Sequence, residues 1–217
     1  KPSEVTPRCI APLRRALERV PELAAVFAFV TGGADTGRAL VGVVDVICFT
    51  GSVPTGRRVA EAAAARFIPA FLELGGKDPA VVLASADLEM ATDVALRGSI
   101  ANNGHACMSL ERIYVQRPLY ARFVSRLVEK ARAVPLAWPD PRSGYLGPLI
   151  FEPQARTLQA QLDDARAKGA RVLCGGEIEN LGGGLYLRPT VVVDVDHSMT
   201  LMTEETFGPV LPVMPFD

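Results

Sequence analysis

Short apolar runs, each closed by a turn and followed by a helix-patterned stretch, recur along this chain, and that alternation leaves few folds open. Residues 25–30 form a continuous apolar run closed by Thr31-Gly32-Gly33, and residues 46–49 form another, closed by Thr50-Gly51-Ser52. Unbroken runs of this length suit strands covered on both faces, the usual state of a parallel sheet. Residues 70–74, ending in Gly75-Gly76, and residues 80–84 read as third and fourth strands, followed by 111–116, 171–174, 190–195 and 210–214. Helix patterns lie between them. Residues 11–20 put Leu13, Ala16, Leu17 and Val20 on one face and stop at Pro21. Residues 55–66, 118–133 and 153–168 also read as helices, and Asp87 caps one more that runs to about Asn102. A Pro/Gly-rich connection fills residues 135–148, and Pro212 and Pro215 interrupt the last strand. The expected fold class is α/β with mainly parallel sheets.

Composition removes several function classes. Of 217 residues 49% are hydrophobic and 22% charged, with 23 Lys+Arg against 24 Asp+Glu, so no basic excess exists to hold a run of phosphates. Nucleic acid is not expected as a partner. The longest apolar stretch, residues 23–30, falls far short of the roughly 20 residues that span a bilayer, so no membrane association is expected. Cys9, Cys48, Cys107 and Cys174 lie far apart, without a Cys-x-x-Cys pair or a His at metal spacing. This pattern fits a reducing cytoplasm, with no metal site. The chain opens on Lys1 rather than Met, carries no signal-peptide pattern and stops at Asp217 just past a strand. It is expected to be an interior piece of a longer chain, incomplete at both ends.

Standard nucleotide fingerprints are missing. Residues 32–37 have the wrong glycine spacing for G-x-G-x-x-G, and residues 51–56 lead into Arg57-Arg58 rather than Lys-Ser/Thr. What remains is Phe49-Thr50-Gly51-Ser52, which ends a strand and opens a helix, where free N–H groups and the positive dipole end face any bound diphosphate. Turns of this kind also occur without ligand. Two further residues have the chemistry of a site. Cys107, in Asn102-Asn103-Gly104-His105-Ala106-Cys107, falls between the end of a long helix and a strand, where a thiol can be exposed as a nucleophile. The alternative is a small buried hydrophobe. Glu73 ends a strand just before Gly75-Gly76, where open α/β sheets place ligands, and its neighbours Phe71, Leu72 and Leu74 are apolar enough to suit a general base. A salt-bridged strand-end glutamate is the competing reading.

Taken together these segments resemble the aldehyde dehydrogenase superfamily, from Lys1-Pro2-Ser3-Glu4 to Glu204-Glu205-Thr206-Phe207-Gly208-Pro209-Val210. The turn at Gly51-Ser52, Leu72-Glu73-Leu74-Gly75-Gly76-Lys77, the Asn-x-Gly-x-x-Cys run ending at Cys107, and Glu205-x-Phe207-Gly208-Pro209 follow in the family's order. The resemblance implies that Cys107 attacks the aldehyde, that hydride passes to a nicotinamide, and that water activated by Glu73 hydrolyses the thioester. It implies that Lys1 and Glu4 hold the adenosine ribose, that Gly51 and Ser52 meet the diphosphate, and that Glu205 and Phe207 position the nicotinamide ribose and ring. Ser3, Gly33 and Leu74 are weaker additions. A carboxylate at Glu4 would accept from a ribose hydroxyl and repel a 2′-phosphate, which favours NAD over NADP.

By the same resemblance residues 1–74 are the C-terminal part of an NAD-binding domain and residues 75–217 most of a catalytic domain. The family's oxyanion asparagine would lie before Lys1. The chain alone is therefore expected to be poorly active, and the full-length protein to be a homo-oligomer acting on a small aldehyde. Asn103, His105 and Met108 depart from residues common in the family around the nucleophile. His105 could tune the thiol or be oriented elsewhere. His197 reads as an ordinary loop residue, and Asp194 with Asp196 as a solvated acidic pair. Two other functions fit the motifs less well: a truncated, non-catalytic partner, which would need neither Cys107 nor Glu73, and a relative that passes the thioester to coenzyme A, against which Glu73 argues.

Overall fold

In the computed structural model, which describes residues Lys1–Asp217, the chain divides into two compact units, Lys1–Leu74 and Gly75–Asp217. The first unit begins with a 3-10 turn and then helix α1 (Ile10–Leu17), the four-residue α2 (Pro21–Ala24) and α3 (Ala34–Val41). Strand β1 (Ile47–Thr50), helix α4 (Val53–Ala64) and strand β2 (Ala70–Glu73) complete it, with β1 and β2 paired in parallel from Ile47↔Ala70 to Thr50↔Glu73. This β-α-β unit matches the alternation in the sequence.

Two expectations fail here. Residues 25–30 are not a strand: residues 25 and 26 close the turn after α2, and residues 27–30 run without ladder bonds. Their apolarity goes instead into local aromatic contacts, Phe27 with Phe29 at 5.2 Å between ring centroids and Arg14 over the Phe29 ring at 5.9 Å. The first helix ends at Leu17, and Pro21 opens α2 rather than stopping α1, because proline's fixed φ suits a first helical turn. Much of this unit's apolar surface is open: Val26, Val43, Phe67 and Phe71 are all more than half exposed, and Ile47 and Ala63 are its buried hydrophobics.

The second unit is built on a five-stranded sheet of order β3-β4-β9-β8-β5. Strand β3 (Asp78–Val82) leads into α5 (Leu88–Ile100), capped by the Asp87 carboxylate, which accepts from the Met90 N–H at 2.8 Å. Strand β4 (Leu110–Gln116) leads into α6 (Arg117–Arg132). After the Pro/Gly-rich connection come α7 (Glu152–Ala167) and strands β5 (Arg171–Cys174), β6 (Ile178–Leu181), β7 (Gly184–Leu187) and β8 (Thr190–Val193). The short α8 (Thr200–Thr203) precedes the last strand, β9 (Val210–Phe216). All neighbours in the sheet are parallel except β5, which joins β8 antiparallel.

Helices cover both faces of this sheet. On α6 the apolar residues Leu119, Phe123, Leu127 and Ala131 recur every four positions and are buried with Ile113, Val115, Val191, Val193, Leu211 and Val213. On α7, Leu158 and Leu162 pack with Val192, Met199, Leu201, Met202 and Val210. Consecutive valines of β8 therefore serve opposite cores, which is why this strand is an unbroken apolar run. Each such side chain contributes about 1.5–3 kcal/mol by leaving water.

The two prolines do not interrupt β9. Its residues 210–212 ladder only to β8 and residues 213–216 only to β4, so each proline has one side free of a ladder. The antiparallel hairpin β6–β7, turned at Gly182-Gly183, and the helices α3 and α8 are elements beyond those expected. Asp194 pairs with Arg171 at 2.5 Å, and Asp196 accepts from the Ser198 N–H at 2.7 Å. No helix is long and apolar enough to cross a membrane, and no three His, Cys, Asp or Glu side chains gather at metal spacing.

Candidate active site

In the first unit the diphosphate candidates stand where β1 passes into α4. Ser52 is the N-cap residue in extended conformation, and its hydroxyl donates to Thr55 Oγ1 at 3.1 Å instead of capping a backbone N–H. The first N–H groups of a 12-residue helix are therefore left for another acceptor. The Gly51 N–H donates to the Glu73 carbonyl at 3.1 Å, and a Cβ at Gly51 would strike the Phe49 ring. Leu74 packs against α4, where a side chain at Gly56 would collide with it.

Lys1 Nζ lies 3.4 Å from Glu4 Oε2, and this pair, after a backbone N–H, holds the exposed Glu4 carboxyl below its ordinary range. Ser3 Oγ accepts from the Val5 N–H at 3.2 Å. Gly33 is the N-cap of α3, with open space where a Cβ would stand. Glu73, the last residue of β2, is exposed on the same strand face as Phe71, itself 64% exposed. The apolar enclosure expected from its sequence neighbours is thus not formed, since Leu72 and Leu74 alternate to the opposite face.

In the second unit Cys107 is exposed in the turn between a 3-10 segment (Ala101–Gly104) and β4, as its sequence position suggested. The segment before it holds an uncommon backbone: Asn102, Asn103 and Gly104 have φ of 51°, 61° and 72°. Asparagine tolerates this region better than most residues, and side-chain bonds fix it. The Asn102 amide donates to the His105 carbonyl at 2.9 Å; the Asn103 amide donates to the Gly147 and Pro148 carbonyls and accepts from the Gly147 N–H, each at 3.1 Å. Gly104 sits so close to the Gly208 carbonyl and Pro209 nitrogen that a Cβ there would overlap them. The nucleophile loop and the Glu205-Thr206-Phe207-Gly208-Pro209 turn are therefore packed backbone to backbone.

His105 faces that turn. Its ring lies nearly parallel to Phe207, 5.8 Å between centroids, while its buried Nε2 has no hydrogen-bond partner. Burial pushes the imidazole below its ordinary pKa. Glu205 accepts from the Gly76 N–H at 3.3 Å, close enough that a Cβ at Gly75 would collide with the carboxylate; burial raises the Glu205 pKa, opposed by that N–H.

Sequence reasoning missed the buried side chains that hold this turn. Glu111 accepts from the Thr206 and Phe207 N–H groups at 2.8 Å each and from Lys77 Nζ at 2.9 Å. The Thr206 hydroxyl accepts from Lys77 at 2.6 Å and donates to Gln161 at 2.8 Å. Gln161 and Gln154 donate to the Glu205 and Thr206 carbonyls, at 3.1 and 2.5 Å. Burial lowers the Lys77 pKa, and the Glu111 charge works against that. A signal was present in the sequence: strict alternation in β4 puts Glu111 on the same face as Ile113 and Val115, an apolar face where a lone carboxylate needs partners.

A thiol exposed beside a Glu-x-Phe turn, on an α/β unit following a β-α-β unit, defines a narrow class. The chain belongs to the aldehyde dehydrogenase family, whose model matches residues 1–217. It is 40% identical over 219 residues to a betaine aldehyde dehydrogenase of Cereibacter sphaeroides, covering 100% of this chain and 45% of that protein. The chain thus spans less than half the length of the curated relatives it matches. Among solved structures it resembles PutA of Anabaena variabilis, assigned to the aldehyde dehydrogenases, at TM-score 0.97 and 55% identity over 99% of this chain and 46% of that one. It also resembles the NAD+ complex of a Bacillus cereus aldehyde dehydrogenase (TM-score 0.79, 37% identity, 83% and 37% covered). An NADP-dependent Escherichia coli enzyme gives TM-score 0.81 and 36% identity, with 87% and 40% covered.

Proposed function

We propose that this chain carries the nucleophile and much of the cofactor contacts of an NAD-dependent enzyme that oxidises a small aldehyde to its carboxylic acid. The observation that carries the reading is the close packing of the Cys107 loop on the Glu205–Phe207 turn through Gly104 and Gly208. A nucleophile and a candidate nicotinamide contact are then presented by one rigid piece, which is what hydride transfer from a carbon bonded to sulfur requires.

In this reading the Cys107 thiolate adds to the aldehyde carbon to give a thiohemiacetal, whose oxyanion accepts a hydrogen bond from the backbone N–H of Cys107. Hydride leaves that carbon, giving a thioester on Cys107. Glu73 takes a proton from water, which attacks the thioester carbonyl; the C–S bond breaks, releasing the acid and the Cys107 thiolate, with the proton left on Glu73. NAD, when bound, supplies the hydride acceptor. The uncapped start of α4 at Gly51 and Ser52 suits a diphosphate, Lys1 and Glu4 suit the adenosine ribose, and Ser3, Gly33 and Leu74 line the same nucleotide. The Glu4 carboxylate favours NAD over NADP, although relatives of similar likeness use either. Residues 1–74 then serve as part of the NAD-binding domain and 75–217 as most of the catalytic domain of a cytoplasmic homo-oligomer.

The test is pre-steady-state kinetics on the natural full-length protein. Cys107→Ser abolishes aldehyde-dependent NADH formation, and Glu73→Gln keeps a first-turnover burst but stalls later cycles. An unchanged steady rate in Glu73→Gln would remove that residue from the base role, and equal efficiency with NADP would remove the cofactor preference.

A further inference from the structure

We propose that Glu111, with Lys77 as its counter-charge, is the positioning residue that sets the Glu205–Phe207 turn to receive a nicotinamide nucleoside; this rests on the cofactor reading above. Glu111 lies on the core-facing side of β4, only 3% exposed, in line with Ile113 and Val115. Its two oxygens accept from the N–H groups of consecutive residues, Thr206 and Phe207, at 2.8 Å each. Phe207 has φ of 51°, a conformation a phenylalanine adopts only when its surroundings enforce it. Gln154 and Gln161 take the neighbouring carbonyls, and the Lys77 ammonium bridges Glu111 and Thr206.

The two peptide groups that link Glu205, Thr206 and Phe207 are thus held by side chains, not by a sheet ladder. Apolar residues of like volume would replace the ion pair itself at little cost, since buried ion pairs gain little over hydrophobic packing, but would leave the Thr206 and Phe207 N–H groups without acceptors. What apolar residues cannot do is fix two adjacent N–H vectors, and with them the directions of the Glu205 carboxylate and the Phe207 ring.

The experiment compares the wild-type natural full-length protein with Glu111→Gln and with the double variant Lys77→Met/Glu111→Gln. Glutamine offers one acceptor in place of two; the double variant also removes the ammonium left without a counter-charge, so it folds where the single one does not. Two rates are read on each protein: the NADH burst at saturating NAD, and hydrolysis of p-nitrophenyl acetate without cofactor, which needs the Cys107 thiol but no nicotinamide. The expected result is a fall of about tenfold in the ratio of burst to ester hydrolysis, together with several-fold weaker NAD binding by calorimetry without aldehyde. Equal losses in both rates, leaving the ratio within twofold of wild type, would mark Glu111 as structural and overturn the proposal. Wild-type protein that hydrolyses the ester but neither binds NAD nor gives a burst would instead overturn the cofactor reading itself.

Discussion

Gly104 offers a perturbation with a built-in control. Replacing it by alanine adds one methyl at φ of 72°, where the left-handed conformation costs an L-residue about 1–2 kcal/mol. The new Cβ would also lie 2.9 Å from the Pro209 nitrogen and overlap the Gly208 carbonyl. Those atoms are backbone and cannot rotate away, so overpacking adds about 1–3 kcal/mol and pushes the two loops apart. Gly183, in the turn between β6 and β7, has φ of 89° but nothing within 4 Å of its would-be Cβ. Gly183→Ala therefore isolates the conformational cost. In thermal melts Gly104→Ala should lower Tm about twice as far as Gly183→Ala. In burst kinetics Gly104→Ala should lose about 100-fold, the order expected when a reacting group shifts by about 1 Å, while Gly183→Ala stays near wild type. A Gly104→Ala protein that melts and turns over like Gly183→Ala would refute the close-packing argument.

Two further outcomes follow from the packing and charge of the second unit. Phe123, fully buried on α6, should cost about 3–5 kcal/mol when cut to alanine, read as a lower denaturation midpoint; a shift equivalent to under about 1 kcal/mol would mean that α6 does not pack on the sheet as described. Glu89, gripped by Arg126 Nε and Nη2 at 2.8 Å each and by Lys130 at 3.1 Å, has its carboxyl held down to about 2 from 4.5. A depressed carboxylate stabilises above its unfolded pKa and loses that effect as pH falls through the folded one. The Tm gap between wild type and Glu89→Gln should thus be full at neutral pH and close between about pH 4.5 and 2, and a gap constant across that window would exclude this pairing.

How far the fold was legible depended on whether local and tertiary signals agreed. On α6 the four-residue recurrence of Leu119, Phe123, Leu127 and Ala131 is also the face that packs, and its limits were legible to within a residue. Residues 25–30 had a strand's composition, but a strand exists only with a partner, and none pairs with them. The β6–β7 hairpin carries a turn signal in Gly182-Gly183, but the surrounding residues lack the alternation that would mark its strands. Cys107 was placed correctly in an exposed turn because a helix and a strand bracket it. The Glu111 cluster was hidden for a different reason: its partners, Lys77, Gln161 and Thr206, are spread across the second unit's sequence, and only the folded sheet assembles them.

The divided ladder of β9 also bears on how the second unit is made. Strands β3 and β4 pair early in the sequence and β5 and β8 later, but the two pairs share no ladder until residues 210–216 slide between them. On a ribosome the order of emergence leaves Ile113, Val115 and Val191–Val193 without their last neighbour until that final strand is free. Closure of the sheet is consequently a late, long-range event, slow by its topology. A nascent chain released before residue 210 should engage chaperones as two half-sheets, and one carried past residue 216 should lock both halves in a single step.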